Sequence, residues 1–261
     1  MVAKRARRNE NAGRRARGGG RALRLAVAAV AAAVAAMAVA APLSAQEMQA
    51  RFAVRALGLK VGDLVLNGTV TDNRYAVASQ FTTSGLVGAV AGVKFLLSAA
   101  GRVENGQFRP DRYDEEMDTG RRESRVSLRY ARGVARAQGS QVGARPPWAV
   151  SDAQQRGAVD PLTAMFMVIR DQPRDGLCRV NQRIYDGERL TQIVLEERRD
   201  RGAEVTCSGT FRRIGGYPAE ELSRKPVFGL SVAYVPGPGG VMQASHMRAD
   251  TTHGPASLVR R

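Results

Sequence analysis

The chain is poor in the residues that most chemistry relies on. Its 261 residues include two cysteines, two histidines and one tryptophan, and aromatic residues make up 5% of it. Cys178 and Cys207 stand far apart, and His246 and His253 come later still. That spacing is poor for a zinc site. The chain has no Cys-x-x-Cys pair, which argues against a thiol–disulfide oxidoreductase. It has no P-loop, dinucleotide fingerprint or nucleophile elbow either. Asp118-Thr119-Gly120 matches the aspartic-protease triplet, but "YDEEM" precedes it where an apolar strand is needed, and no second copy is present. It reads as a solvated acidic turn. The run Asp114–Asp118 lacks the alternating oxygen ligands and tight glycine of a calcium loop. The expectation is a non-enzyme with no metal site and no cofactor.

Acidic residues are also scarce: 24 against 40 Lys and Arg, a formal net charge of +16. Nine of the basic residues and one acid, Glu10, fall in the first 45 positions, so that segment and the remainder each carry +8. The segment opens with "MVAKRARRNENAGRRARGGGRALR", continues with the uncharged run Leu25 to Ala41, and ends in "PLSAQ". A basic region, an apolar run and a small-residue exit make a secretory signal, with cleavage expected before Gln46. A retained inner-membrane anchor is the alternative, although the apolar run is short for a bilayer. Residues 1–45 are therefore assigned to targeting, and 46–261 to a single β-rich domain of ordinary to large size in the periplasm. The remaining charge is scattered arginine, which suits a solvated surface or attraction to lipid headgroups and other anionic envelope components. No aromatic-interleaved basic array points to nucleic acid.

Two-residue alternation dominates the chain beyond residue 45. Phe52, Val54 and Ala56 share one face of a strand, as do Leu64 and Leu66. So do Val126, Leu128 and Tyr130, then Thr191, Ile193 and Leu195, then Phe228, Leu230, Val232 and Tyr234. Turn residues separate these segments, as in Asn105-Gly106 and Asp186-Gly187. One apolar face at period two means half-buried antiparallel strands. "SGLVGAVAGVKFLL", Ser84 to Leu97, reads as a short helix or tight turn entering a strand. "DPLTAMFMVIRD" reads as a helix capped by Asp160, with Pro161 at its first position and Leu162, Met165, Phe166 and Ile169 at helical spacing. Residues 135–159, rich in Gly, Gln, Ser and Pro, read as a long loop, with Trp148 either capping the core edge or serving as a lid or anchor. The expected fold is mainly β: a curved antiparallel sheet of eight or more strands, or a partly open barrel, with one or two short helices. In an exported chain, Cys178 and Cys207 are expected to pair as a disulfide stapling a β-meander.

The stretches "LGLKVGDLVLNGTVTDNRYAVASQFTTSGLVGAV", "RPDRY", "DPLTAMF", "CRVNQRIYDGERL" and "CSGTFRRIGGY" follow one another in that order. In these residues the chain resembles an exported family of Gram-negative bacteria, domain of unknown function number 3108. The resemblance implies an exported, mostly β envelope protein with no assigned reaction and no defined catalytic residues.

Two functions fit. One is a binder or carrier of lipid or another amphiphile on an apolar concave face, with Leu86, Val87, Met165 and Phe166 as candidate ligand contacts. The other is a structural or assembly factor of the envelope with no small ligand.

Overall fold

In the computed structural model, residues 46–85, 92–140 and 145–261 are described; the signal segment 1–45 and the candidates Leu86 and Val87 lie outside them. Thirteen strands alternate along the chain: β1 (Gln46–Ala56), β2 (Leu59–Val70), β3 (Arg74–Thr83), β4 (Lys94–Glu104), β5 (Gln107–Asp118), β6 (Glu123–Ala131), β7 (Val134–Gly139), β8 (Val180–Tyr185), β9 (Leu190–Arg201), β10 (Glu204–Gly215), β11 (Val227–Pro236), β12 (Met242–Thr251) and β13 (Gly254–Arg260). They form one antiparallel sheet in the order β7-β6-β5-β4-β3-β2-β1-β13-β12-β11-β10-β9-β8. The sheet is a nearly closed barrel. Its helices are α1 (Asp152–Gln155), α2 (Pro161–Ile169) and α3 (Ala219–Arg224). This is the expected fold class, and among the described residues α1 and α3 are additional to the helix the sequence indicates at Asp160.

Thirteen is odd, so in an antiparallel sheet the two edge strands, β7 and β8, run the same way. A hairpin cannot join them; parallel neighbours need a crossover. Residues 140–179 supply it and also close the seam. Val159 bridges in parallel to Ile184 on the free edge of β8. The Gln155 side chain accepts from the Ala135 backbone N–H of β7 at 3.0 Å. At Gly187, in the β8–β9 turn, a Cβ would lie 3.5 Å from side chains of Leu128 and Ala137. The stretch read as a loop from residue 135 thus begins as strand β7 and contains α1. Ser151 and Gln154 form a capping box at the start of α1.

The crossover carries α2 against the inner face of the sheet, near β3, β4, β5, β8 and β12. Leu162, Thr163, Ala164, Phe166, Val168 and Ile169 are all buried. A helix buried on this many sides belongs inside a core, not on its surface. Asp160 caps it as the sequence indicates. Its Oδ1 accepts from the Thr163 backbone N–H at 2.8 Å and its Oδ2 from the Thr163 hydroxyl at 2.7 Å. The Tyr75 hydroxyl meets the Thr163 hydroxyl at 2.8 Å. Asp160 is 0% exposed, and burial pushes its carboxyl up to about 6 against hydrogen bonds from Thr163 that lower it. Beyond the helix, Asp171 accepts from Gln243 at 2.8 Å and faces Arg260 of β13 at 3.4 Å. Tyr234 donates to the Val168 carbonyl at 2.8 Å.

The two cysteine sulfurs lie 1.99 Å apart, at disulfide distance. The pair is not within one hairpin. Cys178 precedes β8 and Cys207 lies on β10, one strand further on, so the link crosses β9 and ties the seam strand into the sheet.

The disulfide and the buried cap each carry a testable outcome. Thiol labelling of the unfolded, unreduced protein is expected to find no free thiol. Replacing both Cys178 and Cys207 by Ala should lower unfolding free energy by about 3.5 kcal/mol in the chain-entropy account.

The second outcome concerns Asp160. Its folded value of about 6 exceeds the ordinary 3.8. The native state therefore binds more protons than the unfolded state between those values, and stability falls as pH rises through the window. Above it, the ionised carboxyl costs about 3 kcal/mol relative to an unshifted acid. Asp160→Asn keeps the acceptor for the Thr163 N–H, and the two hydroxyls can reverse. Wild type minus this variant, from denaturation at pH 4 to 8, should decline across the window and then level. A flat difference refutes the buried-charge account. Asp160→Ala should instead cost about 1–2 kcal/mol through loss of the cap.

Candidate functional site

Burial along the inward-facing positions is uneven, and the unevenness has a direction. At the end where β1 starts and β13 finishes, and through the middle, inward residues are closed off: Met48, Ala50, Phe52, Leu66, Val77, Ala99, Leu128, Tyr234 and Ala244 are buried. This is the end that Asp171, Gln172 and Arg260 tie down, with Gln172 and Met242 exchanging backbone hydrogen bonds. Towards the opposite end most inward positions are apolar but only half-buried; Glu115, which pairs with Leu97 and Val126 and accepts from the Tyr113 hydroxyl, is an acidic exception. The apolar positions include Val54, Phe81, Leu97, Val126, Phe211 and Leu258, all packed against the core. The register pairs Val54 with Leu258, Phe81 with Phe95, and Leu258 with Met247, so they line the same inner face on adjacent strands. The barrel is plugged at one end and has an apolar mouth at the other.

Part of the rim is apolar too, although the β5–β6 and β8–β9 turns at this end carry Asp118, Glu123, Asp186 and Arg189. Leu57 and Leu59 in the β1–β2 turn are 66% and 71% exposed, and Val227 at the start of β11 is 37% exposed. Leu57 sits at φ 51°, a left-handed conformation that costs a leucine strain and suits glycine. It is held there against Gly254, where a Cβ would collide with its side chain. Trp148, 47% exposed, lies two residues before Val150, which packs near Gly215 at the same end of β10.

One arc of the mouth is basic and aromatic. Arg213 shares the inner face of β10 with Cys207 and Phe211, because it pairs with inward Thr191. Its guanidinium lies 5.0 Å from the centre of the Tyr217 ring and 5.3 Å from that of Phe228. Arg189 covers Tyr217 at 5.2 Å, and Lys225 covers Phe228 at 5.1 Å. Phe211 and Phe228 are 6.4 Å apart, which continues the aromatic surface into the lumen. Burial pushes the Tyr217 phenol up, while Arg189 and Arg213 pull it down. The Arg213 side chain is 18% exposed and its nearest carboxylate, Glu221, stands at 3.8 Å. Arg189 and Lys225 have no ion pair among the described residues.

The candidates named from the sequence fall in different places. Phe166 is 1% exposed, with its ring against Gly68 and edge-on to Phe108, inside the plug and not at the mouth. Met165 is partly buried against the core. Asp118 accepts from the Gly120 N–H at 2.7 Å, a local turn. His246 is exposed on β12, and His253 bonds to its neighbour Thr252. No three His, Cys, Asp or Glu side chains gather as metal ligands among the described residues. Sequence reasoning misses the Arg213 cluster, yet a signal exists: an arginine two residues after Phe211, on the apolar face of a strand.

A rival concavity lies on the outer face of β2 to β5, with a volume of about 420 Å³, lined by Val65, Ala78 and Leu96 beside Asp114 and Glu116. It is wide open, and its rim is acidic.

The family described as a protein of unknown function, DUF3108, matches residues 49–215. No curated protein matches the chain. A solved structure, titled as a beta-barrel-like protein of domain of unknown function DUF1849 from Brucella abortus, is similar at 10% identity and a TM-score of 0.46. The match covers 85% of this chain and 97% of that one. The chain belongs to the DUF3108 family.

Proposed function

We propose that this DUF3108 protein is an exported, non-catalytic binder of amphiphiles that takes the apolar part of its ligand into the open end of the barrel. The observation that carries the reading is the gradient in burial. Inward positions are closed around α2 and half-exposed at the mouth, where most of them remain apolar. An inner surface of that kind is stable in water only if it stays small or is covered. Burying an alkyl chain contributes about 0.8 kcal/mol per methylene. About twelve buried methylenes would contribute about 10 kcal/mol, the range of submicromolar binding. The exposed Leu57, Leu59 and Trp148 at the same end favour approach to a lipid surface. The ligand contacts are then Val54, Leu97, Val126, Phe211 and Leu258, in place of Phe166.

A second reading has its own support. The helix α2 occupies much of the lumen, as suits a structural or assembly factor of the envelope with no small ligand. Native mass spectrometry of protein purified from the periplasm separates the two. The binder reading expects co-purified amphiphile in wild type and its loss in Leu258→Asp, with circular dichroism unchanged. Leu258 is half-exposed, so the fold should survive the charge. Wild type free of any adduct favours the scaffold.

Export is part of the proposal. N-terminal sequencing of the mature form should begin at Gln46. A start upstream of Leu25, in protein that fractionates with membranes, would support the anchor.

A further inference from the structure

We infer that Arg213, Arg189 and Lys225 form a subsite for an anionic group at the mouth of the barrel, of the phosphate or carboxylate class. The inference rests on the binder reading for its ligand's tail but stands on separate residues. An arginine on the inner, apolar face of a strand is costly to keep dry without an anion. The fold holds Arg213 there by stacking it between two buried rings, Tyr217 and Phe228, at 5.0 and 5.3 Å. The rings leave the edge N–H groups for oxygen acceptors: Nη1 makes a long hydrogen bond to the Glu221 carbonyl at 3.5 Å, and no hydrogen bond is formed by Nη2 among the described residues, so the guanidinium edge can still fork onto an oxyanion. Arg189 and Lys225 bracket the same rings from outside at 5.2 and 5.1 Å. Three cations thus converge on one aromatic pair.

The local carboxylates do not cancel them. Glu221 reaches Arg213 only at 3.8 Å, and 47% of its side chain is exposed. Asp186, which also bears on Tyr217, is committed to its own turn, where it accepts from the N–H groups of Glu188 and Arg189 at 3.0 and 2.7 Å. The contrast with the plugged end is direct. There Arg260 also faces inward, but Asp171 meets it at 3.4 Å with both side chains largely buried. Arg260 meets a buried carboxylate, while Arg213 meets a more distant one that is itself half-exposed to water. The aromatic ladder from Phe228 to Phe211 leads from the cations into the lumen, so a headgroup at Arg213 places its tail among the apolar mouth residues.

The test uses full-length mature protein and three probes: dodecyl phosphate, dodecanol and inorganic pyrophosphate. Displacement of neutral N-phenyl-1-naphthylamine reads the two alkyl probes, and calorimetry reads dodecyl phosphate and pyrophosphate. Wild type should bind dodecyl phosphate at least about tenfold more tightly than dodecanol. Arg213→Gln with Lys225→Gln should remove that preference and leave dodecanol binding unchanged. Arg248→Gln, which removes an exposed charge elsewhere on the sheet, should keep the preference, so general attraction to a basic protein is excluded. Equal affinity of wild type for the two alkyl probes overturns the subsite but leaves the apolar mouth standing. Full preference in the double variant also overturns it. Binding of pyrophosphate that the double variant loses, without binding of either alkyl probe, keeps the subsite, identifies a free anion as its ligand and overturns the amphiphile. Binding of none of the three overturns both.

Discussion

The structure depends on a parity constraint. An antiparallel sheet of 13 strands cannot close on itself by hairpins, because its first and last strands run the same way. The β7–β8 connection must cross over, and crossovers are long enough to hold a helix. In an open sheet that helix would cover one face from outside. Here the sheet curls around it, and the helix becomes the core. The link between Cys178 and Cys207, the parallel bridge at Val159 and the cap from Gln155 to Ala135 all serve the same seam. Each anchors an edge that would otherwise offer unpaired backbone to another chain.

The same constraint explains why only one end is filled. Strands of 10 to 12 residues, such as β2, β3 and β5, span about 33–40 Å along their own axes. A helix of nine residues is about 13.5 Å long. Tilt shortens the barrel but does not remove the mismatch. The helix runs towards the end where Asp171 and Gln172 are held by Arg260, Gln243 and Met242, so the unfilled length falls at the other end. Half-burial of Leu97, Val126 and Leu258 is the direct result. The mostly apolar mouth is thus a geometric remainder, interrupted on its inner face by Glu115 and Arg213.

Much of this is legible in the residues. Period-two alternation marks the strands because each has one wet face, and the inward sets at Phe228–Tyr234 and Thr191–Leu195 are those that face the core. The helix is legible to its cap, since Asp160 and Pro161 are local signals. Strand β7 is not, because "VARAQG" offers only Ala135 and Ala137 to the inside and ends in glycine. At Gly139 a Cβ would collide with the Arg125 carbonyl, so the residue that looks like a loop breaker is a close-packed strand end. The turn at Leu57-Gly58 is hidden for the opposite reason, since leucine seldom takes a positive φ. Closure cannot be read at all, because it depends on counting every strand, and one missed strand changes the parity. Sequence places the ligand face near Phe166 because helical spacing says which residues turn inward but not whether open space or Gly68 lies opposite.

Charge shows the difference between counting and placing. The domain from residue 46 onward carries +8, and the sum alone suggests a surface attraction. Most of its arginines act on the outside of the sheet: Arg129 with Asp114, Arg136 with Asp152, and Arg174 and Arg198 with Asp200. These pairs are solvated and contribute little to stability. Only Arg129–Asp114 joins neighbouring strands; the others tie β7 to α1, the crossover to β9, and two residues within β9, and salt screens them all. Electrostatic selectivity needs a charge that water does not already satisfy. The fold provides that where it sets a guanidinium on the dry side of a strand and holds it mainly with rings, the nearest carboxylate, Glu221, standing 3.8 Å away. By that criterion Arg213 outweighs the exposed arginines on the outer face, and the net charge says little about what the protein binds.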